Sequence, residues 1–456
     1  MRNVPETSLK ISKRQPRRWL LGLDHLFHIK TDQLAFYESL EAEYGDVVRL
    51  QLGPYRTWLF FHPAPIEDLL TRQSNAFIRF KKLTDVVRQW NGDSLLLAEG
   101  DAWRVRRRKV LPAFQTKRLP NYGNAAVKHA SRFCDKLGKK AANDEVVQID
   151  TDAFMAQLTL DIATTTLFGS PPLSNGVEIE QAIQVLSDTA FRESTSPFTL
   201  PDWLPLKAKK KKLWAMKVMD EMVSGLVKAR LADIEKGGAV DRGDLLSMLV
   251  EHHDSNALDI RNDSMSLLIA GHETSGALQS WVFALLAQHS DQLEILNTEL
   301  ESVLQGRSPN FTDLKNLKYL RAVIEESLRL FPPAYALFTR RAEKDVTLSD
   351  VKVKRGDNIQ IIPYTLHRSE RWFVNAEVFD PSRFLETPTW PKYAYLPFGA
   401  GPRVCIGQNF GLMEACLVTA TVLQRWQPKQ IIGRMVPDAK FSLRPKDGLQ
   451  MIWEKR

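Results

Sequence analysis

Cys405 lies in a segment whose residue types suit a thiolate ligand. The chain has three cysteines, and Cys134 and Cys416 fall in apolar helical patterns, where cysteine is a small buried residue. Residues 398–407, in contrast, are rich in glycine, which lets the backbone bend tightly and approach a flat ligand closely. A helix predicted to begin just after Cys405 would stabilise its thiolate through unpaired N–H groups. Arg403, two residues earlier, could pair with a carboxylate of the same ligand.

A second chemical candidate is Ala270-Gly-His-Glu273-Thr274, inside a long apolar segment over 265–289. Apolar residues occur on most faces of this segment, which predicts a buried central helix. A charged Glu273 is costly there unless it has a partner or water. Thr274 can donate to the carbonyl of Ala270, so a structural role is the alternative to a chemical one. For His272 we expect only packing or contact with solvent.

Two further pairs of residues have helical spacing. Glu326 and Arg329 are three residues apart in a helix predicted over 316–330, and they can form an ion pair. Trp103 and Arg107 are one helical turn apart and share a face. For the second pair, an exposed arginine cluster on an amphipathic helix is the alternative interpretation. Neither pair identifies a function by itself.

These residues must be positioned by a mainly helical protein. The composition is ordinary for a globular chain, with 44% hydrophobic and 25% charged residues. Alternating residues around Gly53-Pro54 predict a β-hairpin over 47–61. Short strands are predicted over 346–362 and a last helix over 406–426. The sequence has no internal repeat, so we predict a mainly α fold with a small β region.

Charge and cysteine content restrict the compartment and the partners. The net charge of +8 suits an acidic protein partner, or simply solubility, better than nucleic acid, because no nucleic-acid-binding module occurs. Few cysteines, no signal-peptide pattern and no early apolar stretch of spanning length predict a cytoplasmic protein without a membrane anchor. Residues 1–20 are interpreted as a basic, loosely ordered leader, and the basic run 207–212 as a solvated loop and helix start.

The segment around Cys405 resembles the haem-binding signature of the cytochrome P-450 family, Phe-x-x-Gly-x-Arg-x-Cys-x-Gly. All five fixed positions are present, as Phe398, Gly401, Arg403, Cys405 and Gly407. The resemblance implies that Cys405 is the axial ligand of haem b (iron protoporphyrin IX), with Phe398 beside the sulfur and Arg403 at a propionate. A thiolate ligand pushes electron density onto iron and favours O–O cleavage.

The resemblance extends to other cofactor-binding positions. It implies that Trp103, Arg107 and Arg340 contact the haem propionates, and Arg341 is the alternative to Arg340 because the register can shift by one residue. Ala270 would lie over the haem.

Glu326 and Arg329 would form a structural ion network with Arg383 in this family. One small departure is Gly411, where the family usually has alanine.

The resemblance also gives roles to the acid–alcohol pair of the central helix. Thr274 would hold a hydrogen-bonding water over the iron, and Glu273 would help to relay protons inward. Fatty-acid peroxygenases of the family lack this pair. Its presence therefore favours activation of O₂ with electrons from an external donor.

The implied protein is a single large haem domain over 21–456 with the cytochrome P-450 fold. The implied reaction inserts one oxygen atom from O₂ into an apolar small molecule of the terpenoid, fatty-acid, steroid or polyketide class. Electrons would come from NAD(P)H through a ferredoxin or flavodoxin and its reductase, and we expect a monomer. The substrate-facing residues, by family position, would be Val87, Trp90, Phe191, Phe198, Ala270, Tyr335, Leu337 and Phe338.

Three alternatives remain open from the sequence. One is an enzyme of the same fold that uses or isomerises peroxides without O₂. Another is a haem-binding sensor or electron carrier. The third is a helical binding protein that has lost its haem.

Overall fold

The computed structural model describes residues 9–12, 15–16, 22–142, 144–196, 198–238, 241–252 and 256–456. Within these ranges the chain is mainly helical with small sheets, as predicted. The helices are α1 (Leu23–Tyr44), α2 (Pro63–Glu67), α3 (Lys81–Asn91), α4 (Gly100–Val110), α5 (Leu119–Ala141), α6 (Thr151–Phe168), α7 (Gly176–Thr195), α8 (Lys207–Glu235), α9 (Leu245–His252), α10 (Ala257–Gln288), α11 (Ser290–Leu304), α12 (Lys318–Leu330), α13 (Pro363–Leu366) and α14 (Gln408–Leu423).

The strands form small sheets, as the sequence pattern indicated. They are β1 (Val47–Leu52), β2 (Tyr55–Phe60), β3 (Phe77–Arg79), β4 (Val146–Asp150), β5 (Arg340–Ala342), β6 (Val346–Leu348), β7 (Val351–Val353), β8 (Asn358–Ile361), β9 (Trp426–Ile431), β10 (Pro437–Ala439), β11 (Leu443–Pro445) and β12 (Gln450–Lys455). The largest sheet has the order β1-β2-β8-β5-β3, and a second has the order β4-β12-β9. The predicted hairpin is confirmed, with Val47 opposite Phe60.

Helix α10 is the central element of the fold. The side chain of Asn256 caps it by accepting from two backbone N–H groups of the first turn. Its 32 residues span about 48 Å. The helix begins before the predicted start because its first turns carry two acids, partly exposed Asp259 and buried Asp263, that share a cationic partner. Arg106 of α4 contacts Asp259 at 2.6 Å and Asp263 at 3.0 Å, which makes this burial tolerable.

Two sequence predictions concern the basic segments. Lys10 N donates to Asp46 Oδ2 at 2.6 Å, and Ile11 bridges Gly45, so this part of the leader is bonded to the body. The leader residues 1–8, 13–14 and 17–20 lie outside the described residues, and the boundary at 20 stays a prediction.

The predicted solvation of the run 207–212 is wrong for two of its lysines. Lys209 and Lys212 are buried because Glu193 and Asp202 pair with them. Among the described residues, no helix is long and apolar enough to cross a bilayer.

Candidate haem site and proton-relay residues

Cys405 lies between a sharp turn and the start of α14. Its backbone N–H donates to Phe398 O at 3.0 Å, which closes the loop. Gly401 has a φ of +72°, and a Cβ there would collide with the Leu70 carbonyl, so this position requires glycine. The side chain of Cys405 is accessible, although Phe398 and Ile406 pack against two separate apolar clusters. The sulfur therefore lies where these clusters meet.

The loop surrounds the sulfur with groups that favour a thiolate. Burial raises the pKa of the Cys405 thiol, whereas the Gly407 N–H and the Arg107 guanidinium lower it. Gly407 is also the N-cap of α14, as the sequence predicted for a helix start near the cysteine. These groups stabilise negative charge on sulfur, which a thiolate ligand requires.

Trp103 of α4 lies in a cluster of cations beside this loop. The guanidinium groups of Arg403 and Arg107 lie 4.4 and 5.8 Å from the centroid of its ring. Arg107 Nη2 also donates to the carbonyl of Val404 at 2.9 Å, one residue before Cys405. The structure thus brings together three of the residues predicted to contact a propionate.

Arg340 joins this cluster from β5, where it is paired with Arg79 of the neighbouring strand β3. Successive side chains of a strand point to opposite faces. Arg341 therefore lies on the other face, where it is near Gly356. Of the two registers that the sequence left open, the structure brings Arg340 to the site.

The four arginines carry more positive charge than their own acids neutralise. Burial lowers the pKa of Arg79 well below its ordinary value, Arg403 and Arg340 lower it further, and Glu99 raises it. Burial likewise lowers the pKa of Arg403 to about 10, despite its contact with Glu99. Buried nitrogens of Arg79 and Arg403 have no hydrogen-bond partner among the described residues. The two propionates of haem b would supply the missing charge and acceptors, so these residues fit that group.

Ala270 and Thr274 are exposed in the middle of α10, in a stretch of the helix that is largely buried. Because they are four residues apart, they lie on one helix face. Thr274 Oγ1 donates to Ala270 O at 2.8 Å, the bond expected from the structural alternative. That bond uses the hydroxyl proton and leaves the oxygen lone pairs able to accept from a ligand or water. The structural role of Thr274 is therefore compatible with the chemical one.

The next turn of α10 lies beside α14. Ser275 Oγ donates to Glu414 Oε2 at 2.9 Å, and α14 begins three residues after Cys405. The Ala270 and Thr274 face is thereby held close to the cysteine loop.

Glu273 lies on a different side of α10 from Thr274. Its carboxylate accepts from Ser187 Oγ at 2.8 Å and from Ser442 Oγ at 2.7 Å. Burial raises the pKa of Glu273, while Ser442 and Arg444 lower it. Glu273 also lines a cavity of 920 Å³ between α10, α5, α6, α7 and the C-terminal strands. Glu273, the predicted acid, thus has the hydrogen-bond partners that a buried carboxylate requires, and it is in contact with a cavity.

His272 is packed and fully buried, one of the two outcomes expected for it. Its Nε2 contacts the Glu180 carboxylate, and its Nδ1 lies 3.0 Å from Thr159 Oγ1. Burial alone would raise the pKa of Glu180, but His272 and Arg444 bring it down to about 2. His272 therefore connects α10 with α6 and α7 through polar contacts.

The predicted ion network is brought together between α12 and the segment that follows α13. Glu326 and Arg329 are both 0% exposed, and Arg329 contacts the carboxylate through two bonds of 2.6 and 2.8 Å. Arg383 Nε reaches Glu326 Oε1 at 3.3 Å. Arg329 Nη1 also donates to the carbonyls of His367 and Ala376. The network fastens the long irregular segment that precedes the cysteine loop to α12.

The predicted substrate-facing residues divide into groups. Val87 and Trp90 are buried on α3, in the same cluster as Leu268 of α10. Phe338 lies under the Arg79 guanidinium at 5.1 Å, next to the cluster of four arginines. Leu337, its neighbour, is half-buried near Gly399 of the cysteine loop. These positions suit an apolar ligand beside the haem site.

The other three residues that were predicted to face the substrate, Tyr335, Phe191 and Phe198, do not form one group with those beside the candidate haem site. Tyr335 is buried in the main core, and its hydroxyl donates to Lys440 O at 2.7 Å. Phe191 is half-buried near the end of α7. Phe198 is 88% exposed on the outer surface, so this structure does not bring it to the others.

Sequence reasoning missed several residues of the site. Arg79 had no signal, since one arginine in a three-residue strand has no periodicity to interpret. Ser187, Ser442 and Arg444 reach Glu273 and its surroundings from far along the chain, 169 residues away in the case of Ser442. Short local patterns carry no information about such contacts.

Glu414 gives the site a pH-dependent stability. Burial raises the pKa of its carboxyl to about 8, against a lowering by the Ser275 hydroxyl. The folded protein therefore binds this proton more tightly than the unfolded chain, and the stabilisation is lost as pH rises from about 4.5 through about 8. We expect Glu414→Gln to remove roughly 3 kcal/mol of the stability difference between pH about 6 and about 9. Urea unfolding of both proteins at each pH measures it, and parallel losses in wild type and variant would contradict the assignment.

Comparison with known proteins shows the family of this chain. The family model of cytochrome P-450 matches residues 13–452, and the chain belongs to that family. It is 31% identical to cyclooctat-9-en-7-ol 5-monooxygenase from Streptomyces melanosporofaciens, over 99% of both chains. It is 30% identical to cyclooctatin synthase of the same organism, over 95% of this chain and 93% of the relative. A chloroplastic carotene epsilon-monooxygenase from Arabidopsis thaliana is 30% identical over 88% of this chain and 77% of its own length.

These findings confirm the predicted family, fold and enzyme class. The protein is a P-450 monooxygenase, and the family implies a haem–thiolate cofactor.

Proposed function

We propose that this monooxygenase inserts one oxygen atom from O₂ into a terpenoid or similarly apolar small molecule. Two relatives carry cyclooctat-9-en-7-ol and carotene in their names, and both compounds are apolar terpenoids. Apolar side chains beside the haem site, Val87, Trp90 and Leu268 among them, are compatible with such a substrate. A cytoplasmic location and a monomeric state remain predictions.

The residues of the site take complementary roles in this proposal. Cys405 would hold the haem iron, and the four arginines would bind its propionates. Haem with a thiolate ligand supplies the chemistry of O–O cleavage when bound. Thr274 would orient a water through its free lone pairs. Glu273 would hold a proton at its carboxyl group, taken from the 920 Å³ cavity, and pass it towards Thr274.

Electrons would come from NAD(P)H through an external ferredoxin or flavodoxin and its reductase. The observation that supports this source is the outer surface of α4, where Arg104 and Arg108 are exposed beside Val105. Arg107 of the same helix contacts the carbonyl next to Cys405. An acidic donor bound to this surface would lie close to the thiolate, and charge complementarity would speed its association.

Reconstitution with ferredoxin, its reductase, NADPH and a panel of terpenoids and fatty acids tests the proposal. We expect terpenoid products that contain one atom from isotopically labelled O₂. Glu273→Gln and Thr274→Val should each lower product formation by about 10²-fold while NADPH oxidation continues, because proton delivery fails. The control is Thr298→Val, an exposed helical threonine whose Oγ1 makes the same bond to the fourth preceding carbonyl. Equal product formation from peroxide without a donor would instead support the peroxide-using alternative.

A further inference from the structure

Two buried polar side chains lie without partners in the loop between α3 and α4. Asn91, the last residue of α3, is 1% exposed, and Ser94 is 0% exposed. Neither Asn91 Oδ1 nor Ser94 Oγ has a hydrogen-bond partner among the described residues. A buried polar atom without a partner is costly, so this pair calls for a ligand or an ordered water. We call residues 91–98 the α3–α4 loop.

The α3–α4 loop is fixed along one face of α10. The N–H of Leu95 donates to Asp263 Oδ1 at 2.6 Å. Asp263 lies seven residues before Ala270, and Thr274 lies four residues after it, so the three positions share a helix face. Seven residues make two turns, about 10 Å along the axis. The loop therefore contacts the face that carries Ala270 and Thr274, two turns before Ala270.

The other end of the loop reaches the cluster of four arginines. Arg403 Nη2 donates to the carbonyl of Ala98 at 3.0 Å. Trp90, just before the loop, and Leu95 within it are buried in the same apolar cluster as Leu268 of α10. The two unpartnered oxygens thus belong to residues with apolar neighbours at the edge of the candidate haem site. A few polar groups in an apolar wall are what a specific ligand pocket uses to orient its ligand.

The two oxygens favour a hydroxyl group as their ligand. The amide oxygen of Asn91 can only accept, whereas the hydroxyl of Ser94 can donate and accept. A hydroxyl group of a ligand can donate to Asn91 Oδ1 and accept from Ser94 Oγ at the same time. A ketone has no proton to donate to the amide oxygen.

A carboxylate suits this loop less well because the cations beside it are already paired. Arg106 contacts Asp263 at 3.0 Å. Arg261 donates to the carbonyl of Trp90, and its guanidinium contacts Asp220 at 2.8 Å. A carboxylate of the ligand would compete with these acids, whereas a neutral hydroxyl group needs no cation.

We propose that Asn91 and Ser94 bind a hydroxyl group of the substrate, so that the enzyme oxidises a terpenoid that already carries an alcohol. The alcohol lies about 10 Å from the carbon that is oxidised, because Asp263 holds the loop two turns from Ala270. The reaction that supplies this substrate is then one that installs a hydroxyl group. This inference rests on the proposed function, since it narrows the substrate class of the same site.

Binding of matched terpenoids to the full-length haem protein tests the preference for an alcohol. Abietadiene and abietadienol share a rigid skeleton and differ by one hydroxyl group, and abietic acid has a carboxylate in its place. Phytene and phytol form an acyclic pair. In isothermal titration calorimetry, the alcohol should bind about tenfold more tightly than its hydrocarbon or acid.

Substitution of the two polar residues should remove this preference. Asn91→Leu combined with Ser94→Ala should bind alcohol and hydrocarbon equally, because only polar contacts with the ligand are lost. Ser94→Ala alone is a smaller change, and it should lower the preference by about threefold. Circular dichroism verifies that each variant is folded.

The matched control is Ser264→Ala. Ser264 is 1% exposed on α10, and its Oγ also has no partner among the described residues. It follows Asp263 directly, so it lies about 100° around the helix from the face that holds the loop. This variant should keep the full preference for alcohols.

The outcomes separate this inference from the proposed function. Equal affinity of wild type for alcohol and hydrocarbon in each pair, no binding of any alcohol, or a preference that survives in the double variant would overturn it; in the last case water would be the partner of the two oxygens. Product analysis with isotopically labelled O₂ tests the proposed function separately. Alcohols that bind through Asn91 and Ser94 without being oxygenated would contradict the proposed terpenoid substrate, and the hydroxyl-binding site would stand.

Discussion

Replacing Cys405 by alanine is expected to abolish the strongly red-shifted absorption band of the reduced, CO-treated haem protein. That band requires a thiolate on iron, and Cys405 is the accessible cysteine of the chain, whereas Cys134 and Cys416 are buried. Alanine removes the ligand and leaves the loop, because the bond from residue 405 N–H to Phe398 O is made by the backbone. The absorption spectrum of the purified variant, reconstituted with hemin, measures the effect. Monooxygenase activity should disappear with the band.

Cys134→Ala and Cys416→Ala are the matched controls for this change. Burial raises the pKa of each of these thiols to about 12, so neither thiol ionises to a thiolate near neutral pH. Both variants should keep the red-shifted band. A Cys405→Ala protein that retained it would require another thiolate and would overturn the assignment of the site.

The local parts of the site could be predicted from the sequence. The cysteine loop occupies ten consecutive residues, so its glycines, arginine and cysteine could be interpreted together. Glu326 and Arg329 could be paired because three residues along a helix return to the same face. For the propionate-contacting position of β5, the sequence left two candidates, Arg340 and Arg341. Which of the two side chains points towards the site depends on how the short strand pairs with its neighbour.

The rest depends on contacts between distant segments. Arg79 enters the site because β3 pairs with β5. Asp259 and Asp263 extend α10 beyond its apolar segment because Arg106 of α4 neutralises them. No local pattern contains that information.

Charge runs misled the sequence interpretation for the same reason. Consecutive lysines ordinarily indicate a solvated face. In this fold Glu193, near the end of α7, and Asp202, between α7 and α8, pair with two of the lysines, which are buried. The composition of the run predicts exposure, whereas its structure is set by acids that precede it.

The second large effect is expected from Arg329→Met. The change leaves Glu326 0% exposed with Arg383 as its remaining cation, at 3.3 Å. It also removes the donor to the carbonyls of His367 and Ala376. Removing one partner of a buried ion pair costs about 3–5 kcal/mol. Urea unfolding should show that loss, and haem incorporation should fall with it because the network supports the segment leading to the cysteine loop.

The same helix supplies the control for this prediction. Arg321 and Glu325 form an arginine–glutamate pair on α12, but Arg321 is 46% exposed. Arg321→Met should cost less than about 1 kcal/mol, as for other exposed pairs. The double variant Arg329→Met with Glu326→Leu should recover part of the loss, since it removes the buried charge together with its partner. If Arg329→Met and Arg321→Met lowered stability equally, burial of the Glu326 charge would not be the cause, and the network would have no special role in holding the loop.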